Sequence, residues 1–338
     1  MQPCAAFKGG IQLAIVDRML IESTEPWTAY NALKYLAGLK EDEPELIRAR
    51  AAMLSHPNVV ALTESLEDWP GKVIASHKSA WQPYHRLAFA ADIGLTLKDE
   101  GIKVAVGKVM SSFSSEGLPE LPVPQGAHNP DIEPETMAWA ACDAPTTLYA
   151  LSCLGLADDP LVSKGLDYLL SLARPTGWGC TVSPKLGGFR GPGKKSDPCP
   201  YVNLIMLKLI SAHKGLISSP EADSGVECLL RLWERSLEEH PYIFWMGTDF
   251  RKLKAPFIWY DILHVAEVLS RFPIAIGDPR FRDMLAAISN KADACGMFTA
   301  ESAWQPWKAW DFGKTKLTSS WISLRVRMIN RRVEAFCR

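Results

Sequence analysis

The chain has 338 residues, 47% apolar and 22% charged, with a formal net charge of −1. That balance belongs to a globular protein with a large core, and it gives no broad electrostatic pull toward nucleic acid or an anionic membrane. No apolar run approaches the roughly 18–20 residues that span a bilayer.

The N-terminal stretch MQPCAAFKGGIQLAIVDRML is apolar only briefly before Asp17 and makes a poor secretory signal. Eight cysteines are too sparse for a disulfide scaffold, so a reducing cytoplasm is expected. Cys142, Cys153 and Cys228, in apolar helical surroundings, read as core thiols. The first predicted helix covers 10–21 and lacks a preceding partner. Segments 27–38 and 44–60 form the first helix pair.

From there a repeat sets the pattern. Asp99-Glu100, Asp159-Pro160, Ser219-Pro220 and Asp278-Pro279 recur at intervals of 60, 60 and 59 residues. An Asp or Ser caps free backbone N–H groups, and proline at the first helical position forfeits no hydrogen bond. Gly117, Gly177 and Gly296 each lie 18 residues past such a cap, where glycine is expected to stop the helix. A second helix precedes each cap, over 81–95, 145–156, 201–214 and 257–272. YVNLIMLKLISA and TTLYALSCLGL are apolar nearly all round, so they are expected to be buried. Their partners, such as DPRFRDMLAAISNK, carry charge on one face. The last helix, over 317–332, is of the buried type and has no following partner.

No useful strand alternation appears. The expected fold is all-α: a single-domain (α/α)6 toroid of about twelve helices over 1–338. Six helices are inner and six outer in a ~60-residue hairpin repeat, with 10–21 closing the ring against 317–332. An open helical solenoid is the alternative built on the same repeat.

An α/α ring with Gly-aromatic corners resembles the terpene-cyclase and protein-prenyltransferase superfamily. LVSKGLDYLLSLARPTGWG is similar to its repeat. GGFRGPGKKSDPCPYVNLIMLKLISA, from Gly187 to Ala212, is similar to the zinc loop of prenyltransferase β subunits. In that family a lysine contacts diphosphate and an Asp-x-Cys pair binds zinc. The resemblance therefore implies Lys194 for the diphosphate, and Asp197 and Cys199 for zinc. Pro200 delays the family's tyrosine to Tyr201, and the expected arginine position holds Gly191 beside Arg190. The third zinc ligand is a histidine in that family. FIWYDILHVAEVL offers Tyr260 or Asp261 near its place and His264 one turn deeper. The whole chain also resembles bacterial squalene-cyclase-like proteins, through Trp178–Cys180, Cys199, Tyr260-Asp261 and Ser319–Arg325.

The residues themselves suggest several sites. Zinc accepts thiolate, imidazole and carboxylate in a tetrahedral set, so Cys180, Cys199 and Asp261 form an alternative ligand set to Asp197, Cys199 and His264. Cys199, Asp143 and Asp261 are the candidate catalytic groups. Asp143 lies in WAACDAPTTLY, where class II terpene cyclases carry an Asp-x-Asp-Asp acid. It has no acidic neighbour to tune it, so squalene-type cyclisation is not expected and a helix cap is the simpler role. Arg190, Lys194 and Arg251 could hold a diphosphate near helix N-termini. Trp178, Tyr201, Tyr260 and Trp307 could line an aromatic cavity.

The expected function is action on a hydrophobic, isoprenoid-like or diphosphate-bearing small molecule, by zinc-assisted transfer or by cyclisation. A non-catalytic binding or accessory protein with a partner protein, and a carbohydrate-active α/α barrel, are the alternatives.

Overall fold

The computed structural model describes residues 10–72, 76–123, 136–187, 194 and 196–338. Among the described residues there are fourteen α-helices. They are α1 (Gly10–Ile21), α2 (Pro26–Ala32), α3 (Pro44–Ser55), α4 (Pro57–Ser65), α5 (Pro83–Asp92), α6 (Glu100–Met110), α7 (Ala144–Leu151) and α8 (Pro160–Ser171). The rest are α9 (Pro200–Ile210), α10 (Pro220–Glu234), α11 (Ile262–Leu269), α12 (Pro273–Ile276), α13 (Pro279–Ser289) and α14 (Ser320–Phe336). Two antiparallel pairings of two residues each accompany them. Leu121–Pro122 (β1) pairs with Met137–Ala138 (β2), and Phe298–Thr299 (β3) with Thr318–Ser319 (β4). No described helix is long and apolar enough to cross a membrane.

Proline is the first residue of α2, α3, α4, α5, α8, α9, α10, α12 and α13, a position where its missing N–H costs nothing. The capping residues act as expected at three of the four repeat starts. Asp159 accepts the Leu161 N–H at 2.9 Å, Ser219 the Ala222 N–H at 3.2 Å, and Asp278 the Arg280 N–H at 2.7 Å. Asp99 instead turns its carboxylate back onto the Thr96 N–H at 2.8 Å.

Three expectations need correction. Helices α6, α8 and α13 end before Gly117, Gly177 and Gly296 are reached, so these glycines do not stop them. They sit at left-handed φ of 82°, 94° and 83° in turns that follow. Segment 44–60 splits, because His56 precedes Pro57 and is extended, as the ring of a following proline requires. Segment 257–272 becomes helical only at Ile262, after an extended Asp261.

The chain gathers into two compact units. One comprises residues 62–250 and 257–260. In it α5 packs on α7, α7 on α9 and on α8, and α9 on α10. Every residue of α7 and α9 is buried. Helix α8 buries only the stripe Val162, Gly165, Leu166 and Leu169, the i, i+3, i+4, i+7 face of an amphipathic helix. Asp92 of α5 accepts the Tyr149 hydroxyl of α7 at 2.7 Å and pairs with Lys208 of α9 at 3.0 Å, so one carboxylate ties these three helices together.

The other unit comprises residues 1–61, 251–256 and 261–338. There α14 packs on α1, α2 and α11, and α11 on α13. Helix α11 is wholly buried, while α13 buries Phe281, Met284 and Ile288. Arg327 of α14 grips Asp17 of α1 with two hydrogen bonds of 2.7 and 3.1 Å. The two terminal helices therefore touch.

Candidate active site

Chemistry-bearing side chains gather at the N-terminal ends of α5, α7 and α9. Asp143 is the residue before α7, yet it makes no side-chain cap to that helix. One carboxylate oxygen accepts the Ala140 N–H at 3.1 Å, and the other faces His77 Nε2 at 3.0 Å. The Asp143 side chain is 4% exposed and that of His77 29%, so a buried carboxylate orients an imidazole that reaches solvent. The simple cap expected of Asp143 is therefore replaced by a His–Asp pair. His77 was not among the sequence candidates. It lies 66 residues upstream of Asp143, and its only sequence signal is a place just ahead of α5.

The His77 carbonyl is itself fixed, accepting from Tyr84 Oη at 3.2 Å and His85 Nε2 at 3.0 Å. The next residue, Lys78, sets its ammonium 5.2 Å from the centre of the Trp259 ring. Trp259 stacks on Tyr201 at 4.0 Å and on Phe244 at 5.6 Å. Tyr201 donates its hydroxyl to the Ile258 carbonyl at 3.1 Å. Cation, aromatic wall and His–Asp pair thus belong to one unit.

Thiols crowd the same place. Burial pushes the Cys142 thiol well up, and the charges of Cys199, Cys180 and Asp143 add to it. Burial likewise pushes the Cys199 thiol up to about 12 and raises the Tyr201 and Tyr84 hydroxyls well above their ordinary range, with Asp143 contributing to both. Cys142 and Cys199 therefore stay protonated at neutral pH and are poor nucleophiles as they stand. The helix N-terminus next to Cys199 does not offset its burial. Of the three thiols expected in the core only Cys228 is buried; Cys142 is part-exposed and Cys153 exposed.

Asn203, fully buried on α9, organises this region. Its amide oxygen accepts the Trp178 N–H at 3.0 Å, and its amide nitrogen donates to the carbonyls of Trp178 and Cys199 at 2.9 and 2.8 Å. A side chain on Gly177 would collide with that amide, so glycine is required there by space as well as by φ.

The remaining candidates are placed as follows. Trp178 is buried, its indole N–H donating to the Leu169 carbonyl at 2.8 Å, and it packs a corner. Tyr260 is wedged between Phe244 and Phe250. Lys194 is exposed, and its N–H donates to Asp197 at 3.2 Å. Asp197 also lines a cleft of about 430 Å³ with Glu227, Cys228, Arg231 and His240. Arg190 lies outside the described residues. In the other unit, Arg251 is exposed, and Trp307 is fully buried against Trp310 and Phe312. Asp261 caps α11 by accepting the His264 N–H at 3.0 Å.

Among the described residues, no three His, Cys, Asp or Glu side chains are arranged to hold a metal ion. Asp197 and Asp261 each accept a backbone N–H with one carboxylate oxygen. The expected zinc set of Asp197, Cys199 and His264, with Cys180 and Asp261 as alternatives, is not gathered into one cluster among the described residues. No protein-family model and no curated protein matches this sequence.

Proposed function

We propose that this chain is an α/α-toroid enzyme that moves a proton on a hydrophobic, isoprenoid-like small molecule. The observation that carries the reading is the 3.0 Å contact between His77 Nε2 and buried Asp143, beside the Tyr201–Trp259–Phe244 stack. With Asp143 ionised, Nε2 carries hydrogen toward the carboxylate, and Nδ1 is the nitrogen that takes or gives the substrate proton. Asp143 stabilises the imidazolium as it forms. The aromatic faces suit an apolar or cationic skeleton, and Lys78 suits an anionic end group. The toroid is supported by the alternation of buried and amphipathic helices within each unit and by the meeting of α1 and α14.

Three alternatives draw less support. A prenyltransferase route needs a zinc set, and no three such ligands are gathered among the described residues. A glycosidase needs two carboxylates facing one substrate, whereas Asp143 is committed to His77 and Asp261 to its helix. The accessory-protein reading leaves the His77–Asp143 pair without a role.

The test is thermal stabilisation and product analysis with farnesyl and geranylgeranyl diphosphate and with squalene. Binding should raise Tm in proportion to ln(1 + [L]/Kd). Trp259→Ala and Lys78→Ala should shrink that shift. His77→Ala and Asp143→Asn should keep it but lower turnover by roughly 100-fold or more. No shift at millimolar ligand overturns the isoprenoid reading, and turnover untouched by His77→Ala overturns the proton-transfer reading.

A further inference from the structure

Three cysteines on three different segments meet beside α7 and α9. Ala141 N–H donates to the Thr181 carbonyl and Ser183 N–H to the Trp139 carbonyl, both at 2.9 Å, with Ala140 opposite Val182. The segment that ends at Cys142 is thereby paired with the segment that begins at Cys180. Cys199 N–H donates to the Trp178 carbonyl at 2.7 Å, which joins the third segment. Each cysteine thus lies within two residues of a backbone hydrogen bond to its neighbour segment. The antiparallel register that sets Ala140 opposite Val182 puts Cys142 opposite Cys180, and segments paired in this way run about 5 Å apart, inside the Cα separation of roughly 4.4–6.8 Å that a disulfide spans, while Cys199 is bonded to Trp178, two residues from Cys180. All three are thiols in this structure. Cys199 is 4% exposed, whereas Cys142 and Cys180 are both part-exposed, and of these two the Cys142 thiol is pushed well up by burial.

We propose that Cys142, Cys180 and Cys199 form an oxidisable thiol cluster, a modification site where a hydroperoxide reacts at Cys180 and a disulfide then closes onto one of its two neighbours. The Cys180 thiolate sulfur attacks the outer peroxide oxygen. The O–O bond breaks, and the leaving oxygen takes a proton to become water or an alcohol. The sulfenic acid left on Cys180 is attacked by the neighbour's sulfur, the S–O bond breaks, and water leaves with the neighbour's proton. The two cysteines together lose two electrons and two protons, and the peroxide is reduced. Cys142 immediately precedes Asp143, so closure onto Cys142 would lock the turn that carries the His77 partner. The assignment stands on the placement of the thiols and does not depend on the function proposed above.

The experiment treats the full-length protein with hydrogen peroxide, alkylates the remaining thiols and maps peptides without reduction. The expected result is a cross-linked pair that contains the Cys180 peptide and either the Cys142 or the Cys199 peptide. Dithiothreitol should reverse it, and Cys180→Ser should lose it completely. The map of the unsubstituted protein decides the matter even if Cys180→Ser folds poorly. The proposal is overturned if Cys180 advances to sulfinic or sulfonic acid without cross-linking. It is also overturned if Cys180 stays reduced while the exposed Cys153, Cys295 and Cys337 oxidise.

Discussion

His85 is buried on α5 with its Nε2 hydrogen on the His77 carbonyl at 3.0 Å, so it helps hold the residue that reaches Asp143. Burial lowers its pKa from 6.5 to about 3, and the charge of Lys208 acts in the same direction. The folded protein thus keeps His85 neutral, while the unfolded chain protonates it near 6.5. Its contribution is complete above pH 6.5 and is lost as pH falls from there toward 3. Between pH 7 and pH 4.5 the loss from this residue should be about 2–3 kcal/mol. Urea melts at the two pH values check it. In His85→Gln, which keeps a donor for the carbonyl but cannot charge, the pH dependence should flatten by that amount. An unchanged pH slope would show that His85 is not held neutral.

Helix α11 meets α14 through a buried charge cluster. Glu267 is fully buried, and one of its carboxylate oxygens accepts from Arg271 at 2.7 Å, Arg325 at 2.6 Å and Arg332 at 3.2 Å. Burial alone would raise this carboxyl, but the three guanidinium groups hold it well below the ordinary carboxylate range. Removing one member of such a cluster leaves buried charge uncompensated. Glu267→Gln should therefore cost about 3–5 kcal/mol, read as a drop in the urea midpoint. A loss under about 1 kcal/mol would mean that water or other acceptors already serve the arginines. Only the Glu267–Arg271 pair, four residues apart, is local in sequence, and Arg325 lies 58 residues from Glu267, so the cluster as a whole is not announced there. The His77–Asp143 pair escaped for the same reason. What the sequence did show is what short range decides. Asp-Pro and Ser-Pro starts fix helix beginnings through their own caps, and a helix apolar all round must be buried. Even there the reading failed at Asp99 and at the three glycines, where a turn beyond the helix end competes with the helix stop.

At the scale of the whole chain, one unit is continuous apart from four residues, whereas the other is assembled from both ends of the sequence. Helix α14 is what joins those ends. It packs on α1 and α2 from the beginning of the chain and on α11 and β3 from the last third. Arg327 adds the paired hydrogen bonds to Asp17, and Ser320 is held by Ser23 at 2.9 Å. Arg331 donates to the carbonyls of Tyr35 and Leu36 at 2.7 and 2.6 Å. Without α14, the buried faces of α2 and α11 lose a shared partner, and Glu267 keeps only Arg271 of its three arginines. Protection from hydrogen exchange follows local opening energy, so removing residues 320–338 should expose these two helices selectively. Amides of α2 and α11 are expected to exchange at least about 100-fold faster, a loss of roughly 3 kcal/mol. Amides of α7 and α9 should change far less, since their packing with α5, α8 and α10 uses no residue beyond 250. Uniform acceleration in all four helices would show that the chain opens as one cooperative body, and α14 would then be a keystone for both units.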